Sequence, residues 1–124
     1  MKGPYIRQRA VIQAVLDGEA DVAAIDGYAH DLLRRHDPAV AERLRVVATT
    51  APAPSPPLVA SPSMDWHARA RLTTTLTTAH EAPELAAVMR DLLLRRFDPA
   101  VEGDFQLFLD WQAVAVAAGY PQLQ

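Results

Sequence analysis

Cysteine is absent from this 124-residue chain. That excludes disulfides, thiolate nucleophiles and cysteine-ligated zinc. A cationic surplus is missing too: 12 Lys and Arg stand against 15 Asp and Glu, for a net charge of −3. A dedicated nucleic-acid binder needs a basic excess to neutralise phosphates, so that class is excluded. No apolar run reaches the roughly 18–20 residues of a membrane span. Residues 1–9, Met-Lys-Gly-Pro-Tyr-Ile-Arg-Gln-Arg, hold no apolar stretch of the kind a signal peptide needs. There is no Gly-rich phosphate loop, no His-Glu-x-x-His and no nucleophile elbow, so no catalytic residue is assigned and the chain is not read as an enzyme. His30, His36, His67 and His80 are scattered without metal-ligand spacing. They read as solvated helix residues, and neither a metal nor a cofactor is expected.

What remains suits a globular chain: half of the residues are hydrophobic and 22% are charged. Disorder needs low hydrophobicity with high net charge, and neither holds. Ten prolines against five glycines is an unusual ratio. Pro52, Pro54, Pro56, Pro57 and Pro62 fall in one short stretch. Each removes a backbone donor and restricts its predecessor to extended geometry, so this stretch is not helix. It separates a first part of mixed helix and strand pattern from a second part that is nearly all helix.

The spacing predicts helices over about 5–17, 28–36, 64–79, 83–96 and 104–118. The first carries a stripe of Ile6, Ala10, Val11, Ala14 and Val15 and ends at Gly18, a C-cap residue. Leu85, Val88, Met89, Leu92 and Leu93 form the core stripe of the fourth, which opens at Pro83. Asp104 stands as N-cap of the fifth. The apolar run Val22-Ala23-Ala24-Ile25 and the β-branched stretch Leu44–Thr50 read as buried strands, with a third, short one around Leu58-Val59-Ala60. The expected fold class is therefore α/β, with strands at about 20–26, 44–50 and 57–61.

Asp26 is the candidate functional residue. It stands where the first strand stops and the next helix starts. Ligands in open α/β sheets sit outside the carboxyl ends of strands, and the free N–H groups of a helix start attract anions. The Asp26 carboxylate could accept a hydrogen bond from a protonated oxyanion or pair with a ligand ammonium. It could equally serve as a helix cap, and the two roles are compatible. Tyr28 sits beside it, either lining a cleft or packing as a core aromatic.

The string Gly18-Glu19-Ala20-Asp21-Val22-Ala23-Ala24-Ile25-Asp26, within Arg9–Tyr28, resembles the late part of the phosphate/phosphite/phosphonate-binding proteins of ABC importers. So do Leu32-Leu33-Arg34-Arg35-His36-Asp37-Pro38, Leu44-Arg45-Val46-Val47-Ala48-Thr49-Thr50 and Ala118-Gly119-Tyr120-Pro121. The resemblance implies a partial type II periplasmic-binding-protein fold. Residues 1–43 correspond to the end of the second lobe, 44–62 to the crossover with its proline-rich segment, and 63–124 to a helical C-terminal part. It implies a small oxyanion ligand such as phosphate or phosphonate, an ABC transporter permease as partner, and the periplasm as compartment. The absent leader leaves the cytoplasm open. Asp26 matches a ligand-contacting acid of the family. Where the family carries a Gly-Ser-His-like turn, this chain has Lys2-Gly3-Pro4-Tyr5-Ile6-Arg7. The Tyr5 hydroxyl or the Arg7 guanidinium could replace the missing groups, and arginine suits bidentate phosphate recognition. The implied first lobe has no counterpart in this sequence. A truncated or C-terminal fragment is therefore expected, with exposed sheet edges that invite a homo-oligomer. The alternative is a stand-alone interaction domain that kept the scaffold and lost the ligand.

Overall fold

The computed structural model describes residues 7–120, and helices are the only regular elements among them. Six α-helices follow in order: α1 (Gln8–Leu16), α2 (Gly27–His36), α3 (Pro38–Ala41), α4 (Trp66–Thr78), α5 (Ala86–Asp91) and α6 (Gln106–Ala117). Short 3₁₀ turns occupy Ala79–Glu81, Pro83–Leu85 and Glu102–Phe105. The chain divides into two units, 1–49 and 50–124.

No strand forms among the described residues at 20–26, 44–50 or 57–61, so the α/β expectation is corrected to an all-helical fold. The physical reason is that a strand has no hydrogen bonds of its own. Its N–H and C=O groups need a partner strand, and an apolar run supplies only the side chains. The side chains are not sequestered either: Val22 is 66% and Val59 88% exposed, and Val46, Val47 and Leu58 are exposed as well. Without a sheet there are no sheet edges, and the route to a homo-oligomer through them falls away.

In the 1–49 unit the helices follow from local chemistry. The Arg7 backbone, extended at φ −119°, accepts from the N–H groups of Ala10 and Val11 to open α1. The helix closes in a Schellman motif: Gly18 takes φ +71°, its N–H donates to Val15 O, and Glu19 N–H donates to Ala14 O. Asp26 opens α2 by accepting from Ala29 N–H at 3.0 Å. Arg34, Arg35 and His36 fill the last turn of α2, where the helix dipole favours cations. Pro38 then starts α3 in its favoured first position. One buried residue from each helix, Ile12, Leu33 and Ala41, makes the core, with Leu16, Ile25, Val40 and Leu44 packed around it.

In the 50–124 unit Asp65 caps α4 through Ala68 N–H at 3.0 Å. The threonine run that follows stays helical because its hydroxyls bond back to the preceding turn. Thr77 Oγ1 donates to Thr73 O and Thr78 Oγ1 to Thr74 O, both at 2.9 Å. The segment predicted as one helix over 83–96 is a 3₁₀ turn followed by α5, which stops at Asp91. Of its predicted core stripe only Met89 is buried, while Leu85, Val88, Leu92 and Leu93 are exposed. Asp104 lies inside a 3₁₀ turn, and Phe105 takes the N-cap position of α6 with no side-chain bond.

The end of α5 repeats the Schellman pattern. Leu93 N–H donates to Arg90 O and Leu94 N–H to Met89 O. Here, however, the left-handed position is held by a leucine at φ +55°. A β-carbon there costs about 1–2 kcal/mol against glycine, which adopts the conformation freely. The exposed Leu93 side chain returns little of that. Leu93→Gly is expected to raise stability by about 0.5–1 kcal/mol, read as a higher midpoint in thermal melts. An unchanged or lower midpoint would show that the leucine side chain outweighs its backbone strain.

Candidate functional site

The irregular segment after Gly18 returns the chain to the start of α2. Ile25 is its anchor: it is half-buried against the Ile12–Leu33–Ala41 core. That apolar contact sets the position of the next residue, Asp26, at the mouth of α2. The Asp26 carboxylate is exposed, and its Oδ1 is engaged by Ala29 N–H. Its backbone N–H donates to Gln8 Oε1 at 3.3 Å. A side chain from the first turn of α1 thus reaches the N-cap of α2, across 18 residues of sequence.

This places the predicted residues unequally. Asp26 and Tyr28 lie at one helix start, with Tyr28 44% exposed rather than packed in the core. Arg7 is exposed at the start of α1, one residue before the glutamine that touches Asp26. Tyr5 lies outside the described residues. Gln8 is the member that sequence reading missed. Glutamine is an ordinary helix residue, and no local pattern announces a bond to a backbone 18 positions away.

The surrounding charges are arranged around the helix ends. Arg9 lies 3.7 Å from Asp37 at the far end of α2, and Arg34 lies 3.9 Å from Asp31 within it. Both pairs are solvent-exposed, where such contacts contribute little to stability. Among the described residues no group of three histidines and carboxylates is placed to hold a metal ion. None of the helices there is long and apolar enough to cross a membrane. A shallow, open concavity runs along α6, lined by Leu109, Gln112, Ala113, Val116 and Ala117. It belongs to the other unit and is uncharged, so it offers nothing to an oxyanion.

The head of α2 is a polar, exposed corner. A helix start supplies partial positive charge. Asp26 adds an acceptor, already engaged by Ala29 N–H, and Tyr28 stands in the first turn that follows it. Residues 5–105 match the family model described as ABC transporter, phosphonate, periplasmic substrate-binding protein. No curated protein and no solved structure matches the chain.

Proposed function

This chain belongs to the family of periplasmic substrate-binding proteins of phosphonate ABC transporters, and from that footing we propose that it is a solute-binding component for small oxyanions such as phosphate and phosphonates. The family match over residues 5–105 is the observation that carries the reading. In it, residues 1–43 are the end of the second lobe, 44–62 the crossover and 63–124 the helical C-terminal part of a two-lobed binder. Its working compartment is the periplasm, and its macromolecular partner is the transporter's permease.

The ligand-binding residues are Asp26, Tyr28, Arg7 and Tyr5. An aminoalkylphosphonate fits their chemistry best. Its ammonium pairs with the Asp26 carboxylate, whose Oδ1 also accepts from Ala29 N–H. Its phosphonate oxygens take the Arg7 guanidinium and the hydroxyls of Tyr28 and Tyr5. Inorganic phosphate meets the same corner through a protonated oxygen donating to Asp26. The protein supplies binding and no catalysis.

Thermal-shift titration tests this directly. A ligand at about 100 times its dissociation constant adds roughly 2.7 kcal/mol of stability. Phosphate, phosphite and 2-aminoethylphosphonate are the probes, and at least one is expected to raise the melting midpoint. A folded sample that responds to none of them would sink the oxyanion reading. It would favour the second one, an interaction domain without a ligand. The exposure of Asp26 and its engagement as a cap speak for that alternative.

A further inference from the structure

Two aspartates open helices in this chain, and they do so alike. Asp26 accepts from Ala29 N–H and Asp65 from Ala68 N–H, both at 3.0 Å. Both backbones are extended, at φ −64° and φ −60°. Asp65 marks what a cap requires. Its side chain holds the helix start, and its own N–H has no partner among the described residues. Asp26 carries one restraint more: its N–H donates to Gln8 Oε1 at 3.3 Å, from a side chain 18 residues upstream. The donor is a peptide N–H, so the glutamine must present its oxygen and not its amino group.

That extra bond is not needed for capping, and it is not what joins the helices. Both groups are neutral, the contact is exposed, and it is long for an N–H···O bond. Packing of Ile12 with Leu33 and Ala41 already connects α1 to α2 and α3. Ordering an exposed glutamine also costs side-chain freedom. What the bond supplies is direction. Asp26 is held at two points, its N–H by Gln8 and its carboxylate by Ala29. The first restrains the peptide plane that leads into Asp26. The second restrains the side chain on that backbone.

We propose that Gln8 is a positioning residue for Asp26, setting the direction in which that carboxylate meets an ammonium or a protonated oxyanion. This rests on the ligand role proposed for Asp26 above. Gln8 acts through Asp26 and needs no contact with the ligand. Arg9 supplies the contrast. It stands in the same first turn of α1 but reaches the opposite end of α2, 3.7 Å from Asp37. If the docking of α1 were all that mattered, the contacts at the two ends would count alike.

Amide exchange by NMR on the unliganded chain and calorimetry with 2-aminoethylphosphonate test it together. In the native chain the Asp26 amide is expected to be better protected than the Asp65 amide. Gln8→Met keeps the length and helix propensity of the side chain and removes its oxygen. It is expected to bring Asp26 down to the protection of Asp65 and to leave the melting midpoint within about 3 °C of native. Binding should weaken about three- to tenfold, the effect of one ordinary hydrogen bond. Arg9→Gln is expected to bind as the native chain does. Equal protection of the two native amides, undiminished binding by Gln8→Met, or an equal loss in Arg9→Gln would each overturn the proposal. Failure of the oxyanion reading looks different: the native chain itself then binds neither this probe nor phosphate nor phosphite, and the positioning role falls with it. If Gln8→Met does not fold, Gln8→Glu decides. Its charged oxygen is expected to move the Asp26 amide proton downfield, and an unmoved resonance overturns the role of Gln8.

Discussion

Leu33→Ala is expected to lose most of the stability of the 1–49 unit. Leu33 is one of three buried residues in that unit's core cluster and the one α2 contributes. Truncating a buried leucine removes its transfer free energy and leaves a cavity, together about 2–5 kcal/mol. A whole domain has only about 5–15 kcal/mol to lose. Ile12 and Ala41 cannot close the gap, because each is fixed on its own short helix. The loss also reaches the head of α2, since Ile25, the residue before Asp26, packs on the same cluster. Amide hydrogen exchange in α2 should accelerate by at least tenfold, given that each 1.4 kcal/mol is a factor of ten. The control is Leu72→Ala on α4, where the side chain is exposed and the expected change is within about 0.5 kcal/mol. If both variants exchange and melt like the native chain, the Ile12–Leu33–Ala41 cluster is not what holds the unit together.

The second large effect separates the helix-cap role of Asp26 from the ligand role proposed for it. Asp26→Ala removes the bond to Ala29 N–H and should cost about 1 kcal/mol of baseline stability. Asp26→Asn keeps an oxygen in the same place, and asparagine caps as well as aspartate. Its baseline is therefore expected to stay within a few tenths of a kcal/mol of native. It lacks the negative charge that pairs with an ammonium or accepts from a protonated oxyanion. The ligand-dependent gain of roughly 2.7 kcal/mol should then vanish in both variants, although only one is destabilised. An asparagine variant that still responds fully to 2-aminoethylphosphonate would reduce Asp26 to a cap. The comparison needs no assumption about the rest of the site.

The elements that were legible in the sequence share one property. The signals at Gly18 and Gly119 act within one helical turn, and both glycines end helices at positive φ. The periodic segments around α1, α2, α4 and α6 formed helices within a few residues of the predicted spans. The family too was carried by contiguous strings, above all Gly18–Asp26, and the match over residues 5–105 agrees with it. Leu93 shows where such reading falters. A leucine in a glycine's place hides the end of α5, and the helix was expected to run on to about residue 96.

The sequence by itself determined where α1, α2, α4 and α6 lie to within a few residues, because a helix satisfies its backbone within four residues and its caps lie just beyond. Only the tertiary structure decided the fate of Val22–Ile25, Leu44–Thr50 and Leu58–Ala60, because strand hydrogen bonds must come from a distant segment and none is paired among the described residues. It also decided that Met89 is buried while Val88 is not, and that Gln8 reaches Asp26. Both outcomes depend on what lies across a gap in space, which spacing along a chain does not encode.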